Sequence, residues 1–405
     1  LSTAPTAITG TTTICNGGST TLSVSGGSLG TGASWKWYSG SCGGTLVGTG
    51  ASVTVSPVSA TTYYVRAEGT CNSTTCASTT VTVNTAPTAP TGITGTTTIC
   101  SGNTTTLTAT GGSEGSGCSY EWGTGSTVGS NMISGATSAS YTTAALSSST
   151  TYWVRRIGTS PCSNTTGGAS ATVTVNSLST AATGITVTNN GTCSSTGKTL
   201  GITGGSLGTG AIWQWYTGSC GGTLAGTGTS ITVSPVATAT YYARAEGTCN
   251  STTCASTTVT VVAAPANDMC ANATAIPSFP YISGVQSTSC ATNDAPAAGS
   301  SACGVHDNNV WYKFTGNGNQ MQISTCDGST AFDTEIHVYT GSCGSMTEVI
   351  CNDDGLGCSN GQSSLTMCTT NGTVYYISIG SYQTSGARGN YVLTVTEKPI
   401  GAATI

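Results

Sequence analysis

The segment "RAEGTCNSTTCASTTVTV" occurs twice without a change, at Arg66–Val83 and at Arg244–Val261, with an altered version, "RRIGTSPCSNTTGGASATVTV", at Arg155–Val175. Repetition on this scale restricts the chain to tandem copies of one supersecondary unit. Three units follow, at residues 1–84, 85–176 and 177–262. Each passes the same landmarks in order: "TTTIC" (Cys15, Cys100) or "NNGTC" (Cys193), then an alternating run such as "STTLSVSG". An aromatic strand comes next ("WKWY", "YEWG", "WQWY"), then "TYYVRA", "TYWVRR" or "TYYARA", and a closing "TTVTV" or "ATVTV". Short β-branched runs separated by Gly, Pro, Ser and Asn turns, over 84–92 residues, predict an antiparallel sandwich of about seven strands per unit. Period-two alternation turns Trp35 and Trp37, and Tyr63 with Val65, inward. It leaves Lys36, Tyr64 and Arg66 outward.

Composition decides the environment. Only 6% of the residues are charged, with nine Lys plus Arg and a net charge of −5, so the cationic stripe that nucleic acid requires is missing. No apolar run is long enough to span a membrane. Nineteen cysteines without paired C-x-x-C spacing, beside only two histidines, predict disulfides in an oxidising, extracellular compartment rather than zinc sites. The N-terminus lacks a signal peptide and "TEKPIGAATI" is no sorting domain, which predicts that the chain is part of a longer product.

The order cysteine, aromatic strand, "CGGT", "TYYVRA", "GTCNSTTCAS" resembles the immunoglobulin-like repeats of large secreted surface proteins of the Bacteroidota, over residues 1–262. That resemblance implies stalks or spacers in adhesins and related surface proteins. Residues 263–405 break the repeat and hold eight cysteines, all three Phe and both His. There, "NDMCANATAI", "NNVWYKFTG", "FDTEIHVYTGSCGS", "VICNDDG", "GTVYYISIGSY" and "GNYVLTV" are similar to pre-peptidase C-terminal domains and, more loosely, CUB domains. This implies a jelly-roll module serving binding or stability. The expected architecture is therefore all-β, with three immunoglobulin-like sandwiches followed by a jelly roll.

The cysteines are expected to close within units: Cys15 with Cys42, Cys71 with Cys76, Cys193 with Cys220 and Cys249 with Cys254. Unit two lacks the equivalents of Cys42 and Cys76 and gains Cys118. The same scheme therefore pairs Cys118 with Cys162 and leaves Cys100 unpaired. A rival scheme, Cys15–Cys71 with Cys42–Cys76, also accounts for the joint loss by keeping Cys100–Cys162 and stays open, although it strands Cys118 and joins opposite ends of the domain. Each repeat holds few large apolar residues, so the bridges carry weight; on the loop-entropy model the longer one contributes about 3.5 kcal/mol.

Asp327, Asp333, Asp353 and Asp354 gather near Asn352 in the C-terminal segment. Hard oxygen ligands brought together by two loops suit Ca²⁺, with Asp333, Asp353 and Asp354 as the expected ligands; the competing reading of "NDDG" is an ordinary turn. No nucleophile elbow, H-E-x-x-H or Cys–His signature occurs, and His306 and His337 read as structural or surface residues. The expected function is a non-enzymatic extracellular adhesin or fibre segment, its partner a glycan, a surface protein or further copies of itself. Accessory service to a secreted hydrolase and a purely structural filament subunit are the alternatives.

Overall fold

In a computed structural model describing residues 1–294, 303, 307–382 and 387–398, the chain is all-β. Contacts divide it into two units, Leu1–Leu178 and Ser179–Ile405.

In repeat one the strands Ala7–Thr9, Thr20–Ser25 and Ser52–Val55 form one sheet. Thr13–Cys15, Ala77–Asn84, Thr61–Glu68, Ser34–Ser39 and Thr45–Thr49 form the other. The first strand thus switches sheets partway. Gly10 permits the switch: its φ is +135°, and a Cβ there would lie 2.4 Å from the carbonyl oxygen of Thr21. After the switch, Thr13–Cys15 runs parallel to the last strand, with Cys15 level with Asn84. Repeats two and three keep the parallel pairing, Cys100 beside Asn176 and Cys193 beside Val262.

The faces follow the alternation. Trp35, Trp37, Tyr63 and Val65 are buried with Leu22 and Val81 between the sheets. Trp37, Trp122 and Trp215 are fully buried, and each indole N–H donates to a backbone carbonyl at 2.9 Å: Gly50, Ser138 and Gly228. The outward residues are half-buried rather than fully solvated. Arg66 lies over the Tyr38 ring and donates to Glu68 at 2.6 Å, an arrangement repeated by Arg244, Tyr216 and Glu246.

The cysteines pair differently from the first scheme, and of the rival scheme Cys42–Cys76 forms whereas Cys15–Cys71 does not. Cys42 bonds Cys76 and Cys220 bonds Cys254, inside repeats one and three. Cys15 bonds Cys162 of the following repeat, and Cys193 bonds Cys290 of the C-terminal domain. The expected Cys15–Cys42 and Cys193–Cys220 bridges fail because Cys15 and Cys193 end a strand beside the last one, at the exit of the module, where the next module abuts. Cys71–Cys76 and Cys249–Cys254 fail because Cys76 and Cys254 are taken by Cys42 and Cys220. Cys118 stands opposite Gly158 as a half-buried free thiol, its pKa pushed up by burial, and does not reach Cys162. Cys100 is not an orphan; it and Cys249 are both disulfide-bonded. The free thiols are Cys71, Cys118 and Cys368.

Repeat two replaces the missing bridge with packing. Trp153, in the place of Tyr64, is fully buried on the outer face and donates to Ser130 O at 2.9 Å. Arg156, in the place of Ala67, is buried and donates to the carbonyls of Thr88 (2.8 Å) and Gly111 (3.0 Å). Satisfied donors on a buried guanidinium remove most of its desolvation cost.

The C-terminal domain is a two-sheet sandwich. One sheet orders Thr274–Ala275, Asp307–Thr315, Val374–Ser381, Thr334–Ser342 and Ser345–Asn352; the other orders Tyr281–Ile282, Thr394–Lys398, Gln320–Ser324 and Ser364–Cys368. Phe314, Phe332, Met321, Ile336, Ile377 and Tyr391 fill the space between them. Cys270–Cys343, Cys303–Cys351 and Cys326–Cys358 staple its loops.

Candidate functional site

The strand Thr334–Ser342 organises the chemistry of this domain. Ile336 and Val338 point into the core, so by period two Glu335 and His337 take the opposite face, with Asp333 in phase just before the strand. That face is also covered: Glu335 is 0% and His337 1% exposed. His337 Nε2 lies 2.7 Å from Glu335 Oε1, and Nδ1 lies 3.0 Å from Glu348 Oε2. A neutral imidazole can donate through only one nitrogen, so two carboxylate partners select the imidazolium. Burial alone works against that charge, but the hydrogen bonds and charges of Glu335 and Glu348 outweigh it and raise the His337 pKa. The Tyr339 ring stacks on the imidazole at 6.0 Å between centroids.

His337, Glu348 and Cys351 offer donor atoms within 4.8 Å of one another, yet Cys351 is spent in its disulfide with Cys303. This trio therefore lacks a thiolate for a metal. It also lacks a free nucleophile for the histidine to activate. His306 lies outside the described residues.

Next to it is the carboxylate cluster. Asp353 and Asp354 follow the strand Ser345–Asn352, in a loop tied down by the Cys326–Cys358 bridge. Asn352 shapes the turn, donating to Asp354 O at 3.1 Å and accepting from Ser364 N at 2.8 Å. Ser363 Oγ donates to Asp353 O at 2.8 Å, and the Thr334 amide donates to Gly361 O at 3.2 Å, which draws this loop onto Asp333. Gly361 leaves room for the carboxylate: a Cβ there would lie 2.4 Å from Asp333 Oδ1.

The electrostatics are unbalanced. Burial, then Asp354 and Glu335, raise the Asp333 pKa. Burial, then Asp333, Asp354 and Glu335, push Asp353 up to about 6. Asp333 Oδ1, Asp353 Oδ1 and Glu335 Oε2 are buried and lack a hydrogen-bond partner. Buried polar atoms are nearly always satisfied, so three orphaned carboxylate oxygens leave negative charge uncompensated here, although among the described residues only His337, Glu348 and Cys351 bring donor atoms within 4.8 Å of one another. Of the expected ligands, Asp333 and Asp353 each feel the charge of Asp354, which is itself exposed. Asp327 does not join them: its side chain accepts from Ser329 N at 2.7 Å in its own turn. Glu335 was missed in the sequence, although "DTE" places it two residues from Asp333 and in the same phase.

Beside the loop is a shallow polar groove of about 330 Å³, lined in part by Gln322, Ser324, Leu356, Ser364 and Thr396. Leu356 is fully exposed at its rim.

These features define a class: a tandem immunoglobulin-like β protein with disulfides both within and between modules. The model of the Ig-like domain, CHU_C associated, matches residues 3–84, 87–176 and 181–263, and the chain belongs to that family. No curated protein matches it. Among solved structures, murine CEACAM1b is 13% identical with a TM-score of 0.29, covering 42% of this chain and 99% of that one. The FN1-FN3 domains of chicken CNTN1 are 12% identical with a TM-score of 0.25, covering 64% and 98%. Among the described residues, no helix is long and apolar enough to cross a membrane.

Proposed function

We propose that this chain is a non-enzymatic extracellular adhesin or surface-fibre segment. Its immunoglobulin-like repeats form a stalk that presents the C-terminal sandwich as a calcium-dependent binding module. The stalk reading is supported by Cys15–Cys162 and Cys193–Cys290. A bridge placed at a module's exit resists separation of neighbours under tension, whereas Cys42–Cys76 guards only the fold of its own repeat. The binding reading rests on one observation, the orphaned carboxylate oxygens of Asp333, Glu335 and Asp353. Ca²⁺ held by Asp333, Asp353 and Asp354, with Glu335 behind them, cancels their repulsion and fixes the loop at the rim of the polar groove. That groove suits a hydrophilic ligand such as a glycan.

Calcium titration of the full chain, followed by thermal unfolding and by glycan-array binding in CaCl₂ and in EGTA, tests both halves. At a hundredfold excess over its dissociation constant, a bound ion adds about 2.7 kcal/mol to the folded state. The expected result is a calcium-dependent rise in the melting of the C-terminal domain, with array signal only in calcium. An unchanged melting curve sinks the calcium site; a calcium response with a silent array sinks the glycan reading alone.

A further inference from the structure

The two exposed free thiols, Cys71 and Cys368, occupy opposite kinds of module end. Cys71 lies in the hairpin between Thr61–Glu68 and Ala77–Asn84. The second of these strands ends beside Cys15, so Cys71 is a strand length, about 26 Å, from the end bridged to repeat two. Its counterpart in repeat two is Cys162, in the hairpin between Thr150–Gly158 and Thr165–Asn176. Cys162 is bonded by the cysteine at the exit of the module before it. The hairpin cysteine is therefore built to receive a bridge from a preceding module, and in repeat one that position is unfilled.

Cys368 has the complementary address. Asp307–Thr315 starts at the Cys290 end of its domain, where Asn308 N donates to Asn293 Oδ1 at 2.7 Å and Asp294 N to Asn309 Oδ1 at 3.0 Å. At its other end, Gly316 donates to Thr373 O at 2.8 Å. Thr369 N donates to Asn319 O at 3.0 Å at this same end. Cys368, Gln320 and Lys398 lie side by side there, Gln320 pairing with both. Cys368 thus sits at the end remote from the Cys193–Cys290 bridge, two strands from the last residue of Thr394–Lys398. The linking cysteines Cys15 and Cys193 likewise flank the exit of the last strand of their modules.

We infer that copies of this chain join head to tail through a disulfide between Cys368 of one copy and Cys71 of the next, repeating between molecules the joint that Cys15–Cys162 makes within one. The inference does not depend on calcium or on a ligand at the groove. The two thiols give up two electrons and two protons to a disulfide oxidant. With oxidised glutathione, one thiolate first displaces glutathione to form a mixed disulfide. The other then displaces the second glutathione, leaving one protein S–S bond and two glutathione thiols. Cys118 is half-buried and takes no part.

The test uses the full chain with oxidised glutathione, followed by non-reducing electrophoresis and peptide mapping. The expected product is a ladder that dithiothreitol collapses, with Cys71 cross-linked to Cys368. Cys71→Ser alone and Cys368→Ser alone stay monomeric. An equal mixture of the two gives a heterodimer that grows no further, which also shows both variants to be folded. A monomeric wild type, dimers from either single variant, or a ladder surviving in the double variant overturns the inference.

Discussion

The third repeat and the C-terminal sandwich are both two-layered β structures, yet they secure their folds differently. Repeat three builds its core on Leu200, Trp215, Tyr241, Ala243 and Val259, and a bridge between Cys220 and Cys254 covers its outer face. It also buries Lys198 completely, the ammonium donating to the carbonyls of Cys193 and Thr196 at 2.6 Å. The C-terminal domain adds Phe314, Phe332, Met321, Tyr312, Tyr391 and a belt of Ile and Val. At about 25 cal/mol per Å² of apolar surface, such a core holds a reserve. The domain spends that reserve on a buried histidine between two carboxylates and on a repelling carboxylate cluster. The difference teaches where to seek function: the repeats bury Lys198 and Arg156 with donors satisfied by carbonyls, whereas the unpartnered, mutually repelling carboxylates are in the module with the larger core.

The largest expected effect breaks or confirms this contrast. Cys220–Cys254 and Cys326–Cys358 span 34 and 32 residues, so the loop-entropy model assigns each about 4 kcal/mol. Cys220→Ser with Cys254→Ser should bring repeat three to the edge of unfolding, whereas Cys326→Ser with Cys358→Ser should leave the C-terminal core folded. Hydrogen exchange on Ala239–Glu246 and on Val374–Ser381 reads the two separately. Equal loss of protection in both variants would remove the distinction.

A smaller effect sharpens the electrostatic half. His337→Gln removes the cation from between Glu335 and Glu348, and breaking a buried pair of this kind costs about 3 kcal/mol. The folded pKa of His337 lies above its ordinary 6.5. Its stabilisation is therefore whole below 6.5 and is lost as pH rises through the folded value. The penalty of the variant should be largest near pH 6 and shrink in alkaline solution, measured by denaturant unfolding of the C-terminal domain. A penalty independent of pH would mean that His337 acts through packing alone.

The repeats were legible because period and alternation are local properties. The threefold landmark order, the inward Trp35 and Trp37, and the all-β class all follow from them. The bridges were not, because pairing depends on which module end a cysteine occupies. The sheet switch at Gly10 places Cys15 at the module exit, and expecting bridges to close within domains hid the Cys15–Cys162 joint. One signal was available: repeat two lost the counterparts of Cys42 and Cys76 together, as bonded partners do. At the acidic site, loop spacing drew attention to Asp333 and Asp353, whose carboxyl oxygens prove buried and unpartnered. Glu335 was not readable, since strand alternation does not reveal that the outer face of this sheet is covered.

The finest test concerns the cluster itself and turns on sign. Asp353 has a folded pKa of about 6 against an ordinary 3.8, so the native state holds its proton where the unfolded chain has released it. Without calcium, stability should therefore fall as pH rises from about 4 to about 6 and stay reduced above that. Asp353→Asn removes one of the repelling charges while keeping the side chain's shape. In EGTA at pH 7.5 it should stabilise the C-terminal domain by about 1 kcal/mol, a figure kept small because the group is partly exposed, and at pH 4 it should change nothing. Added calcium should reverse the order: the wild type gains stability, whereas the variant, short of a charged ligand, gains little. A variant less stable than wild type in EGTA would assign Asp353 to holding the turn, and the contrast between the two modules would then rest on His337 alone.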